Sequence, residues 1–438
     1  MNRFERFARW GSMLGLIVLA CLLSACGQLP QDPLLRSLER KSGLIVYVGS
    51  DDNIHTMDQG GGNEQSITFD AGRADDKVHT YQFPTWSPDG RRIAYVKVSS
   101  TADGVESARM FTALPDGKDQ VEAYHSNTEF PIYLYWSPDS QHVSFLTSAE
   151  SGDLLLQMVS AQGGEHRLLD AGTPFYWSWA PDGRNILVHV GGAQSAERLS
   201  FLTMNGDVME EALALKPGVF QAPAWSPDGS QFLLSAETDE GDRALMLADP
   251  RGSVKSVLTL LEGSTAFGWS PDGQRVAYLT GDPNQSVTVG PLTVIEPKKP
   301  DGGKMTQPGD VLGFFWSPDS RKLAYFEPIL FEPTPQPDQV EAPGQFLLLR
   351  LNTLDMASGE SHELTTFLPT DEFLNVMRYF DQYQHSATIW SPDSQNMVLS
   401  GYPLGSEPRE QGVWVLAASG NLEPRFLTNG TLAFWSWK

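Results

Sequence analysis

Trp225-Ser226-Pro227-Asp228-Gly229, followed by the apolar Phe232-Leu233-Leu234, is the stretch on which the fold turns. The same five-residue unit stands at Trp86–Gly90, Trp136–Ser140, Trp179–Gly183 (with Ala180 for Ser), Trp269–Gly273, Trp316–Ser320 and Trp390–Ser394. Its tryptophans are 50, 43, 46, 44, 47 and 74 residues apart. A period in the forties is that of a four-stranded propeller blade, not of a helical repeat. Seven residues after each Trp stand Ile93, Val143, Ile186, Phe232, Val276, Leu323 and Met397. Nine after it stand Tyr95, Phe145, Val188, Leu234, Tyr278, Tyr325 and Leu399. Two unbroken apolar columns two residues apart share one face of a strand.

The unit has a turn mechanism. Pro presets φ, the Asp carboxylate accepts from nearby backbone amides, and Gly takes a left-handed conformation. Ser140, Ser320 and Ser394 stand where Gly is expected, and at φ > 0 each costs on the order of 1 kcal/mol. The repeat residues are therefore read as structural: Trp86, Asp89, Trp136, Asp139, Trp179, Asp182, Trp225, Asp228, Trp269, Asp272, Trp316, Asp319, Trp390 and Asp393.

The C-terminal Phe434-Trp435-Ser436-Trp437 copies Tyr176-Trp177-Ser178-Trp179, which makes Trp437 an eighth motif Trp. Ile45 and Tyr47 then fall in the two apolar columns. The expected fold is all-β, a single β-propeller over 43–438. It has eight blades, or seven if the first is degenerate, and the last strand pairs with the N-terminal strands to close the ring.

The seven motifs and their strands resemble the TolB-type, WD-repeat-like propeller repeat over nearly all of 43–438. Related propellers precede the catalytic domain of prolyl-oligopeptidase and dipeptidyl-peptidase enzymes, but this chain has no Gly-x-Ser-x-Gly. TolB proteins themselves have fewer blades and an extra N-terminal domain, so their partners are not carried over. The resemblance implies a binding scaffold in the cell envelope.

Residues 1–25 read as a signal peptide. Arg3, Arg6 and Arg9 precede an apolar run, Met13–Leu23, that is shorter than a membrane span. Leu23-Ser24-Ala25-Cys26 resembles a lipoprotein signal, which implies lipidation at Cys26, with 26–42 as the membrane tether and palmitate-type acylation of the mature end. Cys21 leaves with the signal, so no disulfide is expected. Loss of Arg3, Glu5, Arg6 and Arg9 takes the net charge from −23 to −25. So acidic a chain is no nucleic-acid binder. The expected location is extracytoplasmic: the cell membrane, or the periplasmic face of the outer membrane in a Gram-negative host.

Chemistry is sparse. The eight histidines show no zinc spacing, and Asp51-Asp52 and Asp75-Asp76 are short acidic pairs whose ordinary reading is a solvated loop. No catalytic residue, metal site or cofactor is expected, and the chain reads as non-enzymatic. The 74-residue unit carries two insertions, 327–344 and 368–384, in loops on the face opposite the motif turns. The first is rich in Pro and acid. The second reads as a helix with Thr370 as N-cap, Asp371 and Glu372 in its first turn, and Phe373, Val376, Met377, Phe380 and Tyr383 at helical spacing. It either packs on the propeller rim or forms a docking element using Phe373, Arg378, Tyr379 and Tyr383. Under the docking reading, its deletion spares folding and abolishes ligand capture. Gln82, Gln221, Thr265 and Ser386 are expected to line the channel mouth. The leading function is a membrane-anchored, monomeric platform for another envelope protein. The alternatives are a channel site for a small molecule, sugar or metal, and an accessory propeller for a separately encoded peptidase or secretion system.

Overall fold

The structure, a computed structural model, describes residues 42–438 except 75, 150, 192–196, 284, 286, 300–303 and 333–344. Signal, Cys26 and most of the tether lie outside the described residues, as do Asp75 and the distal part of the first insertion.

The chain is an antiparallel β-propeller. Among the described residues its strands form seven sheets that contain eight motif units, which we number from the N-terminus. In the second unit Lys77–Trp86, Ile93–Thr101, Gly104–Ala113 and Val121–Ser126 follow one another outward, and the short Gly72–Ala74 adds a fifth strand on the free edge of Lys77–Trp86. The columns read from the sequence are core residues, with Ile93, Tyr95, Val143, Phe145 and Phe232 at 0% exposure. The seventh and eighth units share one seven-stranded sheet, because Phe367–Pro369 pairs with Gly401–Pro403. The innermost strand of the eighth unit is reduced to a single bridge, Trp390 to Met397.

The motif turn works as its composition implies. In the second unit the Gly90 amide donates to the Ser87 carbonyl at 2.8 Å, and the Asp89 carboxylate accepts from the Arg91 amide at 3.0 Å and from the Ser87 hydroxyl at 2.7 Å. In the fifth, hydrogen bonds from Ser226 and Ser230 hold the Asp228 carboxyl down at about 2. Ser140, Ser320 and Ser394 do adopt φ of 60°, 59° and 62°. Each also gains something Gly cannot supply. Their hydroxyls accept from the backbone amides of Asp89, Asp272 and Asp319 in the preceding units, at 3.1, 3.0 and 3.0 Å. One seam hydrogen bond, worth about 1 kcal/mol, offsets the left-handed backbone.

The motif Trp side chains tie the units together as well. The indole N–H groups of Trp136, Trp269 and Trp390 donate to the carbonyls of Thr85, Ala224 and Phe315, each the residue before the preceding motif Trp.

The ring closes between the two chain ends, where Ile45–Gly49 pairs with Gly430–Trp435. The register corrects one expectation. Ile45 lies opposite Trp435, as Ile93 lies opposite Trp86, and Trp86 donates to the carbonyl of Phe434. Trp435, at 1% exposure, is therefore the eighth motif Trp. Trp437 stands where the motif has Pro and is half-buried. With a Trp on either side of Ser436, spacing could not choose between them; pairing with Ile45 does.

Candidate functional site at the plugged channel mouth

The innermost strand of each blade turns one edge to the central channel, and its N–H and C=O groups there need partners. Here much of that demand is met by the second insertion. Thr370 caps α1 (Asp371–Arg378) by accepting from the Phe373 amide, and a turn at Tyr379 leads into the short α2 (Phe380–Tyr383). The inner faces of both helices enter the core. Phe373 is fully buried between Phe326 and Phe367, and Phe380 packs on Phe314 and Phe315 at centroid distances of 4.8 and 5.6 Å.

Residues 380–386 occupy the channel. The Gln382 side chain acts as a peptide group would. Its Oε1 accepts from the Trp177 amide at 3.3 Å, and its Nε2 donates to the Trp177 carbonyl at 3.2 Å. Its own carbonyl accepts from the Tyr133 hydroxyl at 2.7 Å. Gln384 Nε2 donates to the Phe267 carbonyl at 2.8 Å, Asp381 Oδ2 accepts from the Ala222 amide at 3.1 Å, and the Ser386 carbonyl accepts from Thr85 Oγ1 at 2.8 Å. Tyr383 meets Tyr133 edge to face at 5.0 Å, and His385 stacks on Tyr135 at 5.9 Å. The segment thus touches units two to seven. Two glycines make room for it. A Cβ on Gly268 would lie 2.3 Å from Gln384 Oε1, and one on Gly313 would lie 2.6 Å from Met377 Cε.

Burial dominates the electrostatics of this plug. It pushes the Asp381 carboxyl up to about 6, against the backbone hydrogen bonds from Ala222 and Gln382 that favour the anion. It holds His385 at about 4 and therefore neutral, and raises the hydroxyl pKa values of Tyr133, Tyr135 and Tyr383. Beside the plug Tyr176 stacks on Phe220 at 4.7 Å, and Phe220 in turn covers His189 at 4.9 Å. Burial, then the nearby Asp381, Tyr379 and Tyr383, raise the Tyr176 hydroxyl as well. The mouth is therefore aromatic, with one half-buried acid in the plug.

The four residues expected to dock a partner divide two and two. Phe373 is core, and Tyr383 is half-buried inside the channel. Arg378 and Tyr379 remain at the surface, Tyr379 at 49% exposure. Of the two alternatives for the helix the structure bears out packing on the propeller, through Phe373, Val376 and Met377, and the chain then runs on into the bore. The expected tolerance of deletion does not stand, since removing 369–384 would take Phe373, Val376, Met377 and Phe380 out of the core. Of the residues expected to line the mouth, Gln221, Thr265 and Ser386 are buried and Gln82 is exposed. Sequence reasoning missed Gln382, Gln384 and Asp381, whose partners lie between 117 and 205 residues away in the chain. Gly268 and Gly313, inside apolar strands, were the available signal of a close approach.

Among the described residues no group of three or more His, Cys, Asp or Glu is arranged to hold a metal, and no helix is long and apolar enough to cross a membrane.

No family model matches the chain. Among curated proteins it is similar to an uncharacterized protein of Agrobacterium fabrum, with 24% identity over 56% of this chain and 84% of the relative. It is also similar to the uncharacterized peptidase YuxL of Bacillus subtilis, with 28% identity over 37% of this chain and 30% of that protein. Similar solved structures include the dihydro-heme d1 dehydrogenase NirN at 15% identity and TM-score 0.52, covering 93% of this chain and 78% of that one. TolB from Acinetobacter baumannii is similar at 15% identity and TM-score 0.37 over 82% of this chain and 81% of its own. The β-propeller domain of the trilobed protease from Pyrococcus furiosus gives 14% identity and TM-score 0.42 over 74% of this chain and 93% of its own.

Proposed function

We propose that this protein is a non-enzymatic, lipid-anchored platform of the cell envelope that presents the plugged face of its propeller to another protein. The observation that carries the reading is the plug. With residues 380–386 hydrogen-bonded to the inner walls of five units and packed on a sixth, the bore offers little room to a substrate. What remains accessible on that face is a surface built from Arg378, Tyr379 and the loops around them. Aromatic and Arg side chains of this kind anchor protein interfaces.

Co-purification of the full chain after detergent extraction, with mass spectrometry of bound proteins, tests the reading. A reproducible protein partner lost on Tyr379→Ala supports it. Recovery of a bound sugar or metal with no partner overturns it. Partial similarity to a peptidase keeps a second reading, an accessory propeller for a separately encoded peptidase. In that case the recovered partner is itself a hydrolase.

A further inference from the structure

Two kinds of hydrogen bond cross the seams between units. One is donated by the motif Trp indole. The other is accepted by a Ser hydroxyl from the motif Asp amide of the preceding unit. Seven of the eight seams have at least one of them. Between the fourth and fifth units, among the described residues, there is neither. The Trp225 indole N–H is buried without a hydrogen-bond partner, and Gly229 has no hydroxyl to offer the Asp182 amide. Trp225 packs instead on Phe201 and Phe232, at centroid distances of 5.8 and 5.1 Å.

A cavity of about 320 Å³ opens in this seam, among the motif turns. Phe201 and Trp225 line it, together with the carboxyl-bearing Asp182, Glu211 and Asp228, and no basic residue stands in its wall. The cations around it are engaged or lie outside: Arg198 pairs with Asp170 and Glu210, Lys255 pairs with Asp249, and Arg184 and Arg251 are exposed at the surface. The two facing walls run outward from the cavity, since directly opposed residues share a face of a sheet. On the fourth unit Glu211 lies opposite Phe201, and Met209 opposite Thr203, which also lines the cavity. On the fifth the row Trp225, Phe232, Ala248 ends at Val254 on the outer strand. Two register shifts in that strand set Val257 opposite Met246 and Leu260 opposite Ala244, so all three apolar residues share the face packed against Leu199 and Phe201. They are exposed at 40, 47 and 57%, and Met209 at 62%.

We propose that this seam binds a partner segment that places an Arg side chain in the cavity and apolar residues along the outer groove. A guanidinium stacks on aromatic rings and bonds carboxylate oxygens in its own plane, which suits a wall of Trp225, Phe201 and three acids. Met209, Val254, Val257 and Leu260 then cover the apolar residues beside the Arg. The carboxylates also select the occupant, since they attract a basic segment and repel an anionic bilayer. The site lies among the motif turns, away from the plugged mouth, and goes beyond the platform reading without resting on it.

The test uses the full chain in detergent and three labelled synthetic peptides that differ only at a central residue, Arg, citrulline or Glu, set between Leu and Val neighbours. Fluorescence anisotropy is expected to show the Arg peptide binding at least about tenfold more tightly than the citrulline peptide at low salt, with the difference shrinking as salt rises. Glu211→Arg, at an exposed position, is expected to abolish the preference for the Arg peptide over the Glu peptide while leaving the melting temperature unchanged. Val257→Ser combined with Leu260→Ser is expected to weaken the Arg peptide at least about tenfold by removing the apolar groove. No binding of the Arg peptide, equal binding of the Arg and citrulline peptides, or binding insensitive to either variant overturns the proposal. So does dimerisation that Glu211→Arg abolishes, or uptake by phosphatidylglycerol vesicles that the double variant abolishes. The platform reading is tested at Tyr379 and neither supports this site nor falls with it.

Discussion

Replacing Gln382 with Leu tests the plug at its best-bonded residue. Leu keeps most of the volume and removes the two hydrogen bonds to Trp177. That leaves a buried N–H and a buried C=O on an inner strand without partners. An unsatisfied buried polar group costs about 1–3 kcal/mol, so the pair comes to about 2–4 kcal/mol once partial relaxation is allowed. The entropy of unfolding is about 2.1 cal/mol/K per residue, and the propeller has roughly 400 residues. The melting temperature is therefore expected to fall by about 2–5 °C. Differential scanning calorimetry of the full chain in detergent measures it, with Arg378→Gln as an exposed control expected to shift nothing. Tyr133→Phe removes only the bond to the Gln382 carbonyl and is expected to cost about 1 kcal/mol, coupled non-additively to the Leu variant. A Gln382→Leu protein that melts with the wild type would refute the reasoning, because the inner strand edge would then be satisfied without the plug.

Three further outcomes follow from the geometry. Trp435→Ala is expected to cost about 3–5 kcal/mol and Trp437→Ala under about 1 kcal/mol by thermal melting, the reverse of what the terminal sequence alone suggests. Ser394→Ala loses the seam bond to the Asp319 amide but keeps the φ of 62°, so it is expected to destabilise by about 1–2 kcal/mol; Ser394→Gly relieves the backbone and should cost less. For Asp381 the sign is set by burial. The folded state binds its proton more tightly than the unfolded chain, so this residue's contribution favours folding below the ordinary carboxylate range and is lost as pH rises through about 6. Asp381→Asn is expected to flatten that fall in melting temperature between pH 4 and pH 7, and an unchanged profile would sink the assignment.

The motif turns, the two apolar columns, the ring closure and the helix of the second insertion were legible because each repeats or is local. Thr370 as an N-cap needs only its own next turn. The course of 379–386 was not legible, because nothing near Gln382 or Gln384 tells where an amide side chain finds a backbone 205 or 117 residues away. Helical spacing placed Phe373 and Tyr383 on one stripe, and a stripe says which residues are buried without saying against what. One bound was misjudged: residues 327–331 read as the start of a Pro- and acid-rich loop, whereas Lys322–Phe331 is a single strand that stays paired with Phe346–Asp355 throughout.

Native-state hydrogen exchange across residues 379–387 tests the central claim most directly, since the amides of Gln382, Tyr383, Gln384 and Ser386 donate within the plug itself. A bore sealed as part of the fold predicts that these amides exchange as slowly as those of the inner strands and open only with them. Exchange within seconds, in a propeller whose strands stay protected, would show a lid over an open channel and contradict the account.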